Sequence, residues 1–164
     1  MGIEHYKGNL LSTIDERWGK FFEVQVTLTV TNIENEWENV FQFTTNSSDI
    51  CKGCRVPALY VNKAKYFHIT TESDENLHFY NDYPLEYGQT YTIKIMQTPY
   101  EYEEALYKIF INGVLKRVEI IHAPQDYDNV KVYATVPTKP SFSGFIQDFH
   151  WKKLMPETHE IGQF

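Results

Sequence analysis

Between Phe22 and Val30 the chain alternates without a break: Phe22, Val24, Val26, Leu28 and Val30 are apolar, and Glu23, Gln25, Thr27 and Thr29 between them are polar. Successive side chains of an extended strand point to opposite faces, so a period of two buries one face and wets the other. A helix would scatter the same residues around its circumference. The period returns at Tyr91, Ile93 and Ile95 around Thr92 and Lys94, and at Tyr107, Ile109 and Ile111 around Lys108. These positions are rich in the β-branched and aromatic side chains that fill pleated surfaces. Helical periodicity is weak throughout. Only Tyr100 to Ala105 could wind into a turn, and a solvated acidic loop is the preferred reading there.

Turn residues divide the chain into short strands around 7–14, 21–30, 37–45, 57–61, 66–71, 76–81, 90–98, 105–111, 114–121, 129–135 and 144–151. Such spacing predicts an all-β sandwich or barrel. The sharpest local signal is Asn112-Gly113 between Tyr107–Ile111 and Val114–Val118, because a type I′ hairpin turn needs positive φ at both central residues. No repeat or internal linker interrupts residues 1–153, which are read as one domain. Leu154 to Phe164, with Pro156, reads as a tail or linker leaving it.

A chain of 164 residues can bury a substantial core as one domain. Its 16% aromatic content excludes a disordered or low-complexity chain. The net charge of −7 comes with scattered basic residues, so the cationic stripe that nucleic acid requires is missing. No apolar run approaches the roughly 20 residues that span a bilayer, and direct membrane insertion is not expected. Met1 to Tyr6 lacks the regions of a signal peptide, and Tyr6 breaks the myristoylation pattern. An upstream region in the natural chain is therefore expected, and cysteine usage must carry the question of compartment.

Four segments resemble the laminin G-like branch of the concanavalin A-like lectin and glucanase superfamily. They are Lys7-Gly8-Asn9-Leu10-Leu11 ahead of the long Phe22–Val30 strand, the hairpin Tyr107 to Gly113, the late strand Asn129 to Ala134, and the closing Phe142-Ser143-Gly144-Phe145-Ile146-Gln147-Asp148-Phe149. The resemblance covers about residues 7–152. It implies a two-sheet antiparallel jelly-roll sandwich, a closing strand beside the first one, and binding of glycans or proteins at loop edges. Folds of this kind host many functions, so function rests on a site.

Catalysis is the first test, because relatives of this fold include glucanases with Glu-x-Asp-x-Glu on one strand face. The nearest match, Glu72-Ser73-Asp74-Glu75-Asn76, has Asn76 at the third carboxylate position and reads as a polar turn. Glu101, Glu103 and Glu104 read as a solvated loop. No nucleophile elbow, phosphate loop or His-Glu-x-x-His is present, so no catalytic residue is assigned. Cys51-Lys52-Gly53-Cys54 has the spacing of a redox pair or half a zinc site. The preferred reading is a small disulfide, which suits a secreted protein; free thiols, a metal half-site and a redox pair stay open. Asn46-Ser47-Ser48 is an N-glycosylation sequon beside that loop, which makes Asn46 a candidate acceptor and points the same way, to an extracellular setting.

Lectin-like domains order loops with calcium through oxygen ligands, and Asp49, Asp126 and Asp128 are the candidate ligands. The competing reading has the same carboxylates satisfying turn backbone. Tyr60, Tyr80, Phe110 and Tyr133 fall on faces opposite the inward set and are the candidates for stacking on a sugar, with His78 beside them. The expectation is a non-catalytic extracellular recognition or adhesion module that binds a glycan or protein where loop 46–57 meets loop 122–129. A glycan-cleaving enzyme and a structural spacer domain are the alternatives.

Overall fold

The computed structural model describes residues 2–46 and 50–156. Eleven strands lie among them: β1 (Leu10–Thr13), β2 (Phe22–Asn32), β3 (Trp37–Thr44), β4 (Ala58–Asn62), β5 (Tyr66–Ser73), β6 (Asn76–Pro84), β7 (Thr90–Pro99), β8 (Ala105–Ile111), β9 (Val114–Ile121), β10 (Lys131–Tyr133) and β11 (Ser143–Lys153). The acidic stretch after β7 forms one exposed 3₁₀ turn, Glu101–Glu103. A six-stranded sheet has the order β1-β10-β3-β4-β5-β6 and a five-stranded sheet the order β11-β2-β7-β8-β9, with neighbouring strands antiparallel throughout. This is the expected jelly-roll sandwich.

The alternation of β2 is realised residue by residue. Phe22, Val24, Val26, Leu28 and Val30 are buried against the other sheet, while Thr27 and the nearly buried Thr29 pair on the outer face with Thr92 and Thr90 at 3.0 and 2.8 Å. At one end of the core Trp18 stacks between Phe22 and Phe43, with centroids 5.5 and 5.0 Å away. Its indole N–H donates to the Val56 carbonyl at 2.7 Å, which pins the segment after Cys54 to the core. The β8–β9 hairpin turns on Asn112 and Gly113 with φ of 51° and 79°, as the type I′ geometry demands. Gly144 fills a different need. A Cβ there, at φ +151°, would stand 2.0 Å from the Thr29 carbonyl oxygen, so only glycine lets β11 close onto β2.

One expectation is corrected. The closing strand β11 lies beside β2, and the first strand β1 joins β10 in the other sheet, because Phe149 and Trp151 belong over the core with Val26 and Val24. The N-terminal segment meets β11 through the isolated bridge between Ile3 and Ile146 and through His5, whose Nε2 lies 2.8 Å from the Gly144 carbonyl oxygen. The Leu154 N–H donates to the Phe21 carbonyl and its side chain packs against the core; Glu157 to Phe164 lie outside the described residues.

The six-stranded sheet departs from simple alternation in a way that shapes its outer face. The segment after β10 crosses over β3, and Asn39, fully buried, is its anchor. The Asn39 backbone N–H donates to the Pro140 carbonyl, the Thr135 hydroxyl to the Asn39 carbonyl, and the Val136 N–H to Asn39 Oδ1 at 2.9 Å. Buried polar groups persist only when bonded, and this one is bonded at its carboxamide and at its backbone. The crossover roofs the β10–β3 side; on β4 and β5 the outward Tyr60, His68 and Thr70 are buried as well, and exposure returns on β6 at Tyr80 and Asp82.

Candidate functional site

On the β4-β5-β6 side, outward-facing residues of four strands come together. Tyr60 on β4 lies opposite His68 on β5, and His68 lies opposite Asp82 on β6. Their neighbours Leu59, Val61, Phe67 and Ile69 face the core, so Tyr60 and His68 face away from it. Trp37, at the start of β3, meets the His68 ring edge-on at 4.7 Å, and Tyr80 lies tilted against His68 and His78 at 4.7 and 5.0 Å. Trp37, Arg55, Tyr60, His68, His78, Ile50 and Lys139 line a recess of about 160 Å³. Tyr80 is 52% exposed at its rim.

Hydrogen bonds fix these rings. Asp82 Oδ1 lies 2.6 Å from His68 Nδ1, and a carboxylate only accepts, so His68 Nδ1 carries the proton. His68 Nε2 lies 2.9 Å from His78 Nε2 and accepts from it. Burial holds the His68 pKa below the ordinary imidazole value; the Asp82 hydrogen bond and charge work against that, and the Arg55 charge works with it. The Arg55 guanidinium lies 4.7 Å over the Tyr60 ring, whose hydroxyl donates to Gln42 Oε1. Gln42 Nε2 in turn donates to the Cys54 carbonyl at 2.8 Å, tying the recess to the cysteine loop. The result is a packed group of aromatic rings with directed hydrogen bonds between them.

The sequence candidates distribute unevenly over this geometry. Tyr60 and Tyr80 belong to the recess, as does His78. Tyr133 shares their face, opposite Gln42, and is buried at 7% exposure, as Tyr60 is at 2%. Phe110 is on the outer face of the five-stranded sheet, under Lys94 Nζ at 5.3 Å, on the far side of the molecule. Trp37, Arg55, His68 and Asp82 were not singled out from sequence. Their signal was the polar or aromatic half of each strand's alternation, which becomes a cluster only once the pairing of β3 to β6 is known.

The two loops expected to form a binding edge do meet. Cys51 and Cys54 are bonded to each other, and Gly53, at φ +79°, sits against Thr45 and the Tyr127 ring where a Cβ would be 2.9 to 3.0 Å from them. A cleft of about 820 Å³ opens there between the sheets, lined by Glu72, Asp74, Gln97, His122 and Tyr127 among others. Its polar groups are bonded mostly to one another. Glu72 accepts from the Gly53 N–H and the Tyr127 hydroxyl, Asp74 from the Ala123 N–H, and Gln97 donates to the Gly19 and Lys20 carbonyls. Burial and the Glu72 hydrogen bond raise the Tyr127 pKa, so that phenol keeps its proton.

The calcium candidates divide likewise. Asp126 Oδ1 accepts the Lys20 N–H at 2.9 Å, and Asp128 pairs with Arg17 at 3.5 Å, so both carboxylates brace the loop at 17–20. Among the described residues no three His, Cys, Asp or Glu side chains converge on a metal position. Asp49 lies outside the described residues. Asn46 is exposed just after β3, accessible as a sequon requires, while Ser47 and Ser48 are likewise outside the description.

No protein-family model matches the chain, and no curated protein matches it. Solved structures do. A heptameric SAP-like pentraxin from Limulus polyphemus superposes with a TM-score of 0.53 at 12% identity, covering 92% of this chain and 76% of that one. A Polysaccharide Lyase family 7 alginate lyase gives 0.52 at 11% identity, covering 85% of this chain and 63% of the lyase. A variant of human galectin-16 gives 0.51 at 12% identity, covering 88% of this chain and 99% of the galectin. At such identities the likeness is one of fold: a two-sheet antiparallel jelly roll.

Proposed function

We propose that this domain is a non-catalytic, extracellular glycan-recognition module whose binding surface is the β6 side of the outer face of the six-stranded sheet. The observation that carries the reading is the exposed Tyr80 ring packed against His68 and His78, beside a recess whose half-buried wall includes Trp37 and His78 and whose floor is the buried Tyr60, His68 and Arg55. A flat aromatic face such as the Tyr80 ring packs on the apolar face of a sugar ring, and the half-buried His78 imidazole beside it offers a polar group to the hydroxyls. Lectins among proteins of the same fold support the glycan as ligand class. The disulfide supports an oxidising compartment. Loop 46–57 keeps a supporting part, because Arg55 and the Cys54 carbonyl hold the recess from one side.

The rival enzyme reading requires two carboxylates converging on a substrate, about 5 to 10 Å apart. Among the described residues lining the recess there is none, and Asp82 stands behind His68 as its hydrogen-bond partner. This favours binding over hydrolysis.

A glycan array followed by calorimetry on the best ligand tests the proposal. Tyr80→Ala should weaken binding at least about tenfold while leaving the melting temperature nearly unchanged, since truncating an exposed ring costs the fold little. Phe110→Ala, on the far face, should bind as the parent does. An empty array together with negative cell-surface binding screens would favour a spacer domain, and release of reducing ends from an array hit would restore the enzyme.

A further inference from the structure

The two sheets end in four edge strands, and three of them are blunted. β1 has four residues and a break in register between Leu10 and Ser12. β6 carries Asp82 and ends at Pro84. β11 has two register breaks, three charged residues in Asp148, Lys152 and Lys153, and a bridge from Ile3 against it. Short length, bulges, charge and proline are the usual defences against an added strand. β9 differs in its outer face. It also has one register break and carries Lys116, Arg117 and Glu119, but over its eight residues it exposes four apolar side chains, Val114, Leu115, Val118 and Ile120, at 39 to 56%.

Register against β8 sorts its side chains. Arg117, Glu119 and Ile121 lie opposite Ile109, Tyr107 and Ala105, which face the core. Leu115, Val118 and Ile120 lie opposite Phe110, Lys108 and Leu106 and share the outer face, where partly buried Phe110 and Leu106 extend the apolar strip. Arg117 and Glu119 pair within the strand at 2.6 Å, with side chains 43% and 36% exposed.

We propose that β9 pairs antiparallel with β9 of a second copy, about a two-fold axis through Val118 that sets Arg117 opposite Glu119 of that copy on both sides. Directly opposed residues of an antiparallel ladder share a face, and a two-fold interface must complement itself. Both conditions are met in this register. Val118 meets its own counterpart on the outer face, and Arg117 meets Glu119 on the inner one. The register break that leaves Lys116 without a partner on β8 brings Leu115 next into line, on the outer face with Ile120 of the second copy. The two in-strand ion pairs become one alternating ring of four charges, stronger than isolated surface pairs. The strand's charges therefore select one register of self-pairing instead of repelling a second copy.

A single cysteine on the axis is the most direct probe. Facing residues of an antiparallel pair have Cα atoms about 4.5 to 5.5 Å apart, within the range of about 4.4 to 6.8 Å that a disulfide spans. Cys51 and Cys54 are bonded to each other, so Val118→Cys introduces the one free thiol among the described residues. Mild oxidation should convert it to a covalent dimer, while Lys108→Cys, one strand further in, stays monomeric. In sedimentation of the unmodified chain, Arg117→Glu should weaken the dimer about tenfold or more by placing like charges face to face, and Arg117→Glu with Glu119→Arg should restore it. The restoration separates a charge register from simple damage to the fold. Monomeric sedimentation at every concentration, with Val118→Cys cross-linking no faster than Lys108→Cys, would overturn the proposal, as would a dimer indifferent to Arg117→Glu.

Discussion

The Tyr127 hydroxyl donates to Glu72 Oε2 at 2.6 Å while the other oxygen of the same carboxylate takes the Gly53 N–H, so one side chain joins the β5–β6 hairpin, the cysteine loop and the loop before β10. Hydrogen bonds to a charged acceptor contribute about 1.5 to 3 kcal/mol each. A double-mutant cycle of Tyr127→Phe and Glu72→Gln should therefore give a coupling of about 1 to 2 kcal/mol in urea unfolding, with each single variant folded. Strict additivity would show that the three loops are held by something else.

Trp18→Phe should be costlier. It removes the indole donor from the buried Val56 carbonyl and leaves a void between Phe22 and Phe43. Together these should lower stability by about 2 to 4 kcal/mol. Chemical denaturation measures it, and a loss below about 1 kcal/mol would mean that the site relaxes or takes in water.

The fold was legible because β2, β7 and β8 bury one face each, and period two cannot be mistaken there. Pairing order was less legible. β10 is only three residues long, and nothing local to Leu10–Thr13 says that it joins β10 while β11 goes to β2. The site was half legible for the same reason. Tyr60 and Tyr80 could be named from alternation, but Trp37, Arg55, His68 and Asp82 become neighbours only through the β3-β4-β5-β6 register. Phe110 satisfied the same alternation rule on the other sheet, since sequence gives the face of a strand but not the sheet it joins. Asp126 and Asp128 illustrate a further limit: their partners, the Lys20 N–H and Arg17, lie over a hundred positions away and leave no local signal.

Calcium offers a decision on those two residues. Asp126 already accepts the Lys20 N–H through one oxygen, and the Arg17 guanidinium beside Asp128 opposes a second cation there, so millimolar calcium should leave the melting temperature of chelated protein unchanged. Saturation at 100 times Kd would add about 2.7 kcal/mol, an easily visible shift. A rise that Asp126→Asn and Asp128→Asn together abolish would place a site there after all.

The disulfide makes its own contribution. By loop-closure entropy a crosslink over so short a loop is worth about 2 kcal/mol, and Cys51→Ser with Cys54→Ser should lose roughly that amount. Gly53 and the Cys54 carbonyl lie in this loop, so protection of their neighbours from hydrogen exchange should fall with it. Unreduced protein from a secretory host should show two hydrogens fewer by mass.

His68 provides a pH signature for the recess. Burial lowers its pKa, and the groups facing it are Asp82, His78 and Tyr80 from β6, Trp37 from β3, and Arg55 and Tyr60 from beside β4. A base whose folded pKa is depressed is protonated more readily in the unfolded chain. Its contribution to stability is therefore complete above the unfolded value of about 6.5 and is lost as the pH falls from there toward the folded value. His122 works in the opposite sense, because its pKa is raised, first by its hydrogen bond to Glu104. The comparison that isolates His68 is consequently the difference between the parent and His68→Gln across pH 5 to 8. The parent should lose stability below about pH 6.5 more steeply than the variant. Parallel profiles for the two proteins would mean that His68 keeps an ordinary titration, and with it that the recess is wetter than its hydrogen bonds imply.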